Sequence, residues 1–339
     1  ENNGWGSDAG PAPYGSGNGI NYSTCHDSLL NIDYICQFYV DADPWIGQPA
    51  TYGQSVPNVA YKGDPVNTAN GNYAYERTDL SISTRGLPLE FSRSYNSLAP
   101  EDGRLGWGWR HTWMVTAEES GNHVRITYGD GRQIRFTGDG AQYVPAAGVH
   151  ALLVKTGGVF HLTEKDQTIY QFDALGRLAA VADRNANTTT LSYVGVTLSQ
   201  VRAPDGRTLS FDYDGNLRLT SVSDPLGRTL GFSYNITGEL TTVTDTTGVA
   251  TTMTYDASHR LLANIDGNGH TFLTNEYNAN GRVSRQVDGL GNVTTFAYDE
   301  PNRITFVTDP FGHTTTYQYD SELRLISERD ALNQAATYA

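Results

Sequence analysis

Apolar residues in this chain come in short bursts that alternate with polar ones, and Gly, Pro, Asp or Asn interrupts them about every ten residues. In "TTTYQY" (314–319), Tyr317 and Tyr319 stand two apart and share one face of a strand. "DSE" (320–322) follows as a turn and "LRLISE" (323–328) as a second strand. Gly and Pro at this frequency exclude helices, whose interiors tolerate neither. The pattern predicts an all-β fold of short antiparallel hairpins.

The bursts keep a fixed period. An aromatic anchor stands at Phe172, Tyr193, Tyr213, Tyr234, Tyr255, Tyr277, Tyr298 and Tyr319, in steps of 20 to 22 residues. Five residues past the anchor comes Arg177, Arg218, Arg260, Arg282, Arg303 or Arg324, with Leu198 and Glu239 as exceptions. The next residue is apolar except at Ser199. Eleven past the anchor stands Asp183, Asp224, Asp245, Asp266, Asp288, Asp309 or Asp330, with Pro204 as the exception. Fourteen past it, five copies carry Gly, from Gly227 to Gly312.

Each slot has a physical role. The Asp caps its own turn through its side chain, and the Gly supplies positive φ without a steric penalty. Two strands and two turns cannot bury a core alone, so neighbouring units must stack to enclose one continuous apolar face. A catalytic residue is needed once, whereas these Asp and Arg recur in nearly every copy. They are assigned to the unit, the Asp to the turn and the Arg to a carboxylate or a Tyr ring face. His270 and His313 occupy a slot that varies elsewhere (Arg228, Val249, Asn292) and read as exposed.

"FDALGRL", "YDASHRL", "YNANGRV" and "YDSELRL", together with the D-x-x-G turns, resemble the YD repeats of Rhs proteins. "GDPVNTANGNYAYERTDLSISTRGLPLEFSRSYNS" (63–97) and "LGWGWRHTW" (105–113) resemble the region preceding those repeats. The resemblance covers residues 61–339 and implies a curled antiparallel β-sheet, a β-solenoid forming part of a hollow shell or fibre. In Rhs proteins and the related C component of insecticidal toxin complexes, such a shell encloses a toxic C-terminal domain. Teneurins use a similar shell for adhesion. The toxin family's core segment with self-cleavage aspartates is missing from these 339 residues, and no toxin domain follows the repeats within them. No cargo or autoproteolysis role therefore carries over to a residue here.

Four regions result. Residues 1–60 form a Gly- and Asn-rich segment with one strong β run, "NIDYICQFYV" (31–40), that stands isolated. Residues 61–113 are the pre-repeat region, read as a strand-rich plug or cap whose Trp107, Trp109 and Trp113 suit core packing better than a sugar platform. Residues 114–171 hold degenerate hairpins ("YGDGRQIRF"), and residues 172–339 the repeats, ending in the middle of a unit. The sequence begins at Glu1, as a processed chain or a piece of a longer one does.

Composition narrows the partners. A formal net charge of −14, with only Lys62, Lys155 and Lys165 as lysines, argues against nucleic acid and anionic membranes. No apolar run is long enough for a transmembrane helix. Cys25 and Cys36 fit one short-loop disulfide of an oxidising compartment, or else two free thiols. No nucleotide-binding loop, metal motif or nucleophile elbow is present. "DYDGN" (212–216) and "DGNGH" (266–270) faintly resemble calcium loops, yet both lie at ordinary turn slots. Sequons stand at Asn21, Asn187, Asn235 and Asn292. The expectation is therefore a non-enzymatic extracellular or cell-surface scaffold without catalytic residues, cofactor or metal. Alternatives are the shell of a polymorphic toxin with a cargo domain, and an adhesion module for cell-surface glycans. A final strand edge without Pro or Lys, and an unpartnered β run near the N-terminus, predict head-to-tail self-association.

Overall fold

The computed structural model describes residues 59–99, 101–138, 142–145 and 149–338, and the backbone of residues 21–27 and 32–38. Every regular element among them is a β-strand. Twenty-three strands form one antiparallel sheet in strict sequence order, from Thr116–Ser120 to Ala335–Thr337. The sheet is open, because its first and last strands do not pair with each other, although Thr116 of the first strand meets Arg177 in an isolated bridge. The ladder starts at Thr116, well before the first anchor, Phe172.

In most units both turns are built by an Asp or Asn side chain. Asp224 Oδ1 accepts the N–H groups of Leu226 (2.9 Å) and Arg228 (3.0 Å), while Gly227 between them takes φ +79°. Asp256 does the same at the other turn, accepting from Ser258 and Arg260 at 2.9 Å. These bonds satisfy turn N–H groups that have no ladder partner. Asp266 spends its Oδ1 on Asn268 and His270, so the calcium-like stretch is an ordinary turn.

A bulge stands at every anchor except Tyr298. Tyr213, for instance, pairs with Leu219 while Asp212 pairs with Ser221. The extra residue twists the strand and turns the N–H of Leu219 off the ladder. Phe211, Leu219 and Val222 then face the same side and are fully or almost fully buried, and the pattern recurs copy after copy to form one continuous core.

Two copies differ from the slot assignment. The hairpin after Tyr193 is one residue shorter, with Val194 paired directly to Thr197. Leu198 therefore holds the apolar slot rather than breaking the Arg slot. Ala203, not Pro204, stands at the turn, where its N–H and carbonyl bond Arg207 and Gly206. After Tyr298 the hairpin slips by one residue. In five other copies the residue three past the anchor donates its N–H to the turn Asp or Asn side chain, and here that residue is Pro301, which has none. The turn closes instead from Arg303 N–H to the Glu300 carbonyl, and the bulge disappears. Arg303 takes φ +53° in this turn and leaves the role its slot predicted.

The run at 31–40 is not isolated. Ile32–Phe38 pairs antiparallel with Asn21–Asp27, a polar strand that the hydrophobic pattern does not reveal. Cys25 stands opposite Tyr34 and Cys36 opposite Ser23. The cysteine side chains, and with them the disulfide, lie outside what is described, as does the side chain of Asn21.

Candidate functional site: a plug laid across the repeats

Residues 59–117 do not precede the ladder as a separate cap. Their three-stranded sheet, Ala74–Ile82, Leu89–Asn96 and Trp109–His111, lies against it, and the segment runs back across the repeats in the opposite direction. The bulges provide the attachment points. Leu178 N–H donates to the Val115 carbonyl (3.2 Å), Leu219 N–H to Arg104 (2.9 Å), Leu261 N–H to the Tyr95 hydroxyl (2.8 Å) and Val283 N–H to Gly71 (3.0 Å). At Leu240 the backbones press together, and a Cβ on Gly106 would lie 2.7 Å from the Gly238 carbonyl. Further on, the Thr68 hydroxyl bonds Tyr319, and Lys62 pairs with Glu328 at 3.7 Å.

The anchors link copy to copy. Tyr193, Tyr234, Tyr255, Tyr277 and Tyr298 each donate a hydroxyl to the bulge-residue carbonyl of the preceding unit, at 2.7–2.8 Å. Burial pushes these hydroxyls up, and Tyr213 and Tyr319 reach about 12, so they remain protonated donors at neutral pH. Phe172 has no hydroxyl and is simply buried. Arg177, Arg218, Arg260 and Arg282 lie over the next anchor ring, with 4.1–5.7 Å from guanidinium carbon to centroid. Arg177, Arg260 and Arg324 also pair with the turn carboxylate four residues back, whereas Arg218 reaches across to Asp102 of the plug at 2.7 Å.

The recurring carboxylates do not converge. Asp183, Asp224, Asp245, Asp266, Asp288, Asp309 and Asp330 each cap a separate turn through Oδ1. The Asn187 amide beside Asp183, and the Asn292 amide beside Asp288, hold those two carboxyls below the usual range. These are two of the sequon asparagines, and a third, Asn235, bonds Glu239, so all three amides are engaged in turns. No group of three His, Cys, Asp or Glu side chains among the described residues is placed to hold a metal.

The plug's own interior is aromatic. Trp109 is buried, donates Nε1–H to Tyr255 (2.8 Å) and carries the Arg93 guanidinium 5.3 Å over its ring. Arg93 is itself 1% exposed and bonds Asp79, a buried pair inside the plug. Trp113 is buried too, whereas the half-buried Trp107 stacks on His259 at 4.3 Å with the rings nearly parallel. His111 packs against Phe91, and burial, then the Arg110 charge, pushes its pKa down to about 3.

Three residues of this interface carry no repeat signature. Asn264 and Gln286 fill a slot nine past the anchor that holds Val222 and Val243 in other copies, and Asn275 fills one that holds Phe211 and Phe232. All three are at most 3% exposed. Asn264 donates to the Tyr73 hydroxyl (3.2 Å), and Gln286 accepts from Asp64 N–H (3.0 Å) and donates to Asp64 O (3.2 Å) and to Asn275 (2.8 Å). Their departure from an apolar slot was the signal available in the sequence.

Comparison with known proteins agrees with this layout. Residues 63–136 match a family described as a domain of unknown function, DUF6531, which covers the plug and the first ladder strands. The family described as RHS Repeat matches 197–229, 213–250, 234–271 and 277–305. The tRNA nuclease WapA of Bacillus subtilis (strain 168) is 36% identical over 131 residues, 38% of this chain and 6% of that protein. The probable deoxyribonuclease RhsB of Dickeya dadantii (strain 3937) is 32% identical over 173 residues, 46% of this chain and 12% of that protein. The chain thus spans about an eighth or less of these relatives. A crystal structure of TcdB2-TccC3-TEV aligns over 84% of this chain and 19% of its own, at 13% identity and a TM-score of 0.37. A Photorhabdus luminescens Tc holotoxin pore aligns over 83% and 19%, at 12% identity and a TM-score of 0.38. With the repeats, the plug and the Rhs relatives in agreement, residues 197–271 and 277–305 are repeats of the Rhs/YD type.

Proposed function

We propose that this chain is a non-enzymatic scaffold of the Rhs type that works outside the cell or at its surface. One observation carries the reading: the Asp, Arg and Tyr side chains that recur are engaged in turns, in ring contacts or in bonds between units. Function then resides in the surface that the ladder and plug build together. No helix among the described residues is long and apolar enough to cross a membrane. Incubating the purified chain with polysaccharide, nucleic acid and peptide substrates tests the reading. Turnover that a single Asp→Asn change abolishes would overturn it.

A second reading is favoured by the relatives. Two are named as nucleases, and both match over a small share of their own length. On this reading the chain is the shell portion of a polymorphic toxin whose cargo lies elsewhere in the protein. Reading the gene past residue 339 decides the matter: further repeats and a short unrelated domain support it, and a stop codon removes it.

Self-association belongs to the same proposal. Within these 339 residues the strand Ala335–Thr337 is exposed throughout and pairs on one side only, an edge that stays open where no further repeat follows it. An unpaired edge is a template for another strand. The hairpin near the N-terminus of a second copy supplies one, giving a heterologous contact that grows into a filament unless the rotation closes.

A further inference from the structure

From Asp183 to Gln334 one rim of the ladder is lined by eight successive turns. Seven begin with an Asp whose Oδ1 accepts two backbone N–H groups at 2.8–3.0 Å, from the second and fourth residues after it. The turn at 203–207 has Ala203 in that place. Its backbone is the same: Ala203 N–H donates to the Arg207 carbonyl at 2.9 Å, Gly206 N–H donates to the Ala203 carbonyl at 3.0 Å, and Gly206 takes φ +89°. Asp205 Oδ1 accepts the Arg207 N–H at 3.1 Å, so one of the two donors is served. The other, Asp205 N–H, bonds no protein group among the described residues and belongs to an exposed residue. A seat that holds a carboxylate oxygen in seven copies is half empty in this one.

Four exposed arginines gather at this turn. Arg207 belongs to it, and Arg202 lies beside it, with Nη2 3.6 Å from where a Cβ on Gly206 would stand. Arg184 is in the preceding turn of the rim. Arg85 is at the tip of the plug hairpin, and that tip rests on both turns. The Ser83 carbonyl accepts from the Arg207 guanidinium, and a Cβ on Gly86 would lie 2.6 Å from the Asn187 Cβ. Arg207 stands 3.8 Å from the Asp205 carboxylate, whereas Arg85, Arg184 and Arg202 make no ion pair among the described residues.

The nearby carboxylates are already engaged. Asp183 gives Oδ1 to two N–H groups and Oδ2 to the Asn187 amide, and Asp205 gives Oδ1 to Arg207. This corner is basic on a chain whose formal net charge is −14. The five turns from Asp245 to Gln334 carry five Asp and no Lys or Arg. An acidic partner is therefore repelled along most of the rim and drawn to one end of it. A guanidinium fork takes carboxylate or phosphate alike, so the turn decides between them, and its sister turns each seat a carboxylate oxygen. The turns at 183–187 and 203–207 stand two strands apart, about 9.4–9.8 Å, and three residues of an extended chain span about 10 Å.

We propose that this corner docks an extended acidic segment of a partner protein through two carboxylates three residues apart. One sits on Asp205 N–H beside Arg202 and Arg207, and the other lies between Arg184 and Arg85. The surface stands independently of the scaffold reading, which survives if the corner binds nothing.

Amide NMR on the whole chain tests this with a peptide of about eight residues carrying two Glu three residues apart. The Asp205 and Arg207 amides should shift and saturate at roughly 0.1–1 mM peptide in low salt, and binding should weaken about fivefold or more at about 0.3 M salt. The same peptide with Gln at both places should leave the amides where they are. Ala203→Asp gives the turn the carboxylate that its sisters have, so it should weaken binding by about tenfold while the melting temperature holds or rises. Arg202→Gln should weaken binding by about threefold or more, and Arg324→Gln, on the opposite rim, should not change it. The proposal is overturned by equal binding of the Gln peptide, by undiminished binding to a folded Ala203→Asp or Arg202→Gln variant, or by an equal loss in Arg324→Gln. Single-stranded DNA or polyphosphate that shifts the same amides at lower concentration than the peptide would assign the corner to phosphate and overturn it as well.

Discussion

Replacing Tyr95 with Phe separates a structural bond from mere packing. The ring is 1% exposed and packs against Trp109 and Tyr73, with centroids 5.1 and 6.0 Å away. Phe retains those contacts. The change removes one oxygen, which accepts the Leu261 N–H at 2.8 Å and lies beside the Tyr277 hydroxyl. Leu261 is at a bulge, so its N–H has no ladder carbonyl to return to, and the site is fully buried. An orphaned buried N–H costs about 1–3 kcal/mol. Tyr298→Phe is the natural comparison. It removes a hydroxyl donated to the Val283 carbonyl at 2.7 Å and leaves no orphaned donor, so the expected loss is nearer 1 kcal/mol.

Hydrogen exchange is the decisive assay, because a repeat array need not unfold in one step. Tyr95→Phe should speed exchange at the Leu261 amide by roughly the factor its free-energy cost implies, about tenfold for each 1.4 kcal/mol. Amides around Leu178, bonded to a different part of the plug, should be unaffected. Unchanged protection at Leu261, or an equal effect from Tyr298→Phe, would show that the bulge N–H groups are not what fastens the plug.

Other consequences can be measured directly. His111 is held neutral by burial, so between its ordinary pKa near 6.5 and about 3 the unfolded chain binds the extra proton. Stability is therefore full at neutral pH and falls on acidification, by up to about 1.4 kcal/mol per pH unit below ~6, and His111→Phe should flatten a urea-denaturation profile measured between pH 6.5 and 4. Gln286→Leu orphans Asp64 N–H and the Asn275 oxygen, so denaturation should show a loss of at least about 2 kcal/mol, partly recovered when Asn275 is also changed to Leu. Deleting residues 1–45 should abolish concentration-dependent growth in mass by light scattering. If the intact chain is a monomer at every concentration, the head-to-tail contact does not exist.

The ladder was legible because its determinants are local. An Asp that caps its own turn, a Gly at φ +79° and a Tyr beside a bulge are all fixed by residues a few positions away, so the period of 20 to 22 exposes them. Where the period failed, the cause was still local. Pro301 lacks the one N–H that its turn requires, and the two-residue turn after Val194 is a residue short. The plug could be placed in the sequence but its contacts could not be read, because each joins residues that share no pattern. Nothing in "RSYNS" indicates that Tyr95 meets Leu261, 166 positions away. The strand Asn21–Asp27 was missed for another reason: it pairs through its backbone and carries too few apolar residues to register.

The direction of the plug has a consequence for how the chain closes on itself. Because it runs back across the repeats, the separation between contacting residues grows step by step: 116 for Asp102 and Arg218, 146 for Trp109 and Tyr255, 166 for Tyr95 and Leu261, 191 for Tyr73 and Asn264, 222 for Asp64 and Gln286, and 251 for Thr68 and Tyr319. Each contact, once made, shortens the loop that the next must close, so docking proceeds like a zipper from the Val115 end. The residues around 64–73 dock last and have the most wrong registers available, since every repeat offers a similar apolar groove. Asn264, Asn275 and Gln286 lie beneath that stretch, whereas Val222, Val243, Phe211 and Phe232 occupy the equivalent slots of copies nearer the start of the zipper. A purely apolar surface would accept the plug in any register, but buried amides are satisfied in one alone. The polar inlay therefore stands where register is hardest to specify. On this reasoning, the double Leu variant at Asn275 and Gln286 should keep most of its stability and yet give heterogeneous exchange at residues 64–73. A single uniform exchange rate there would mean that register is set by something other than these amides.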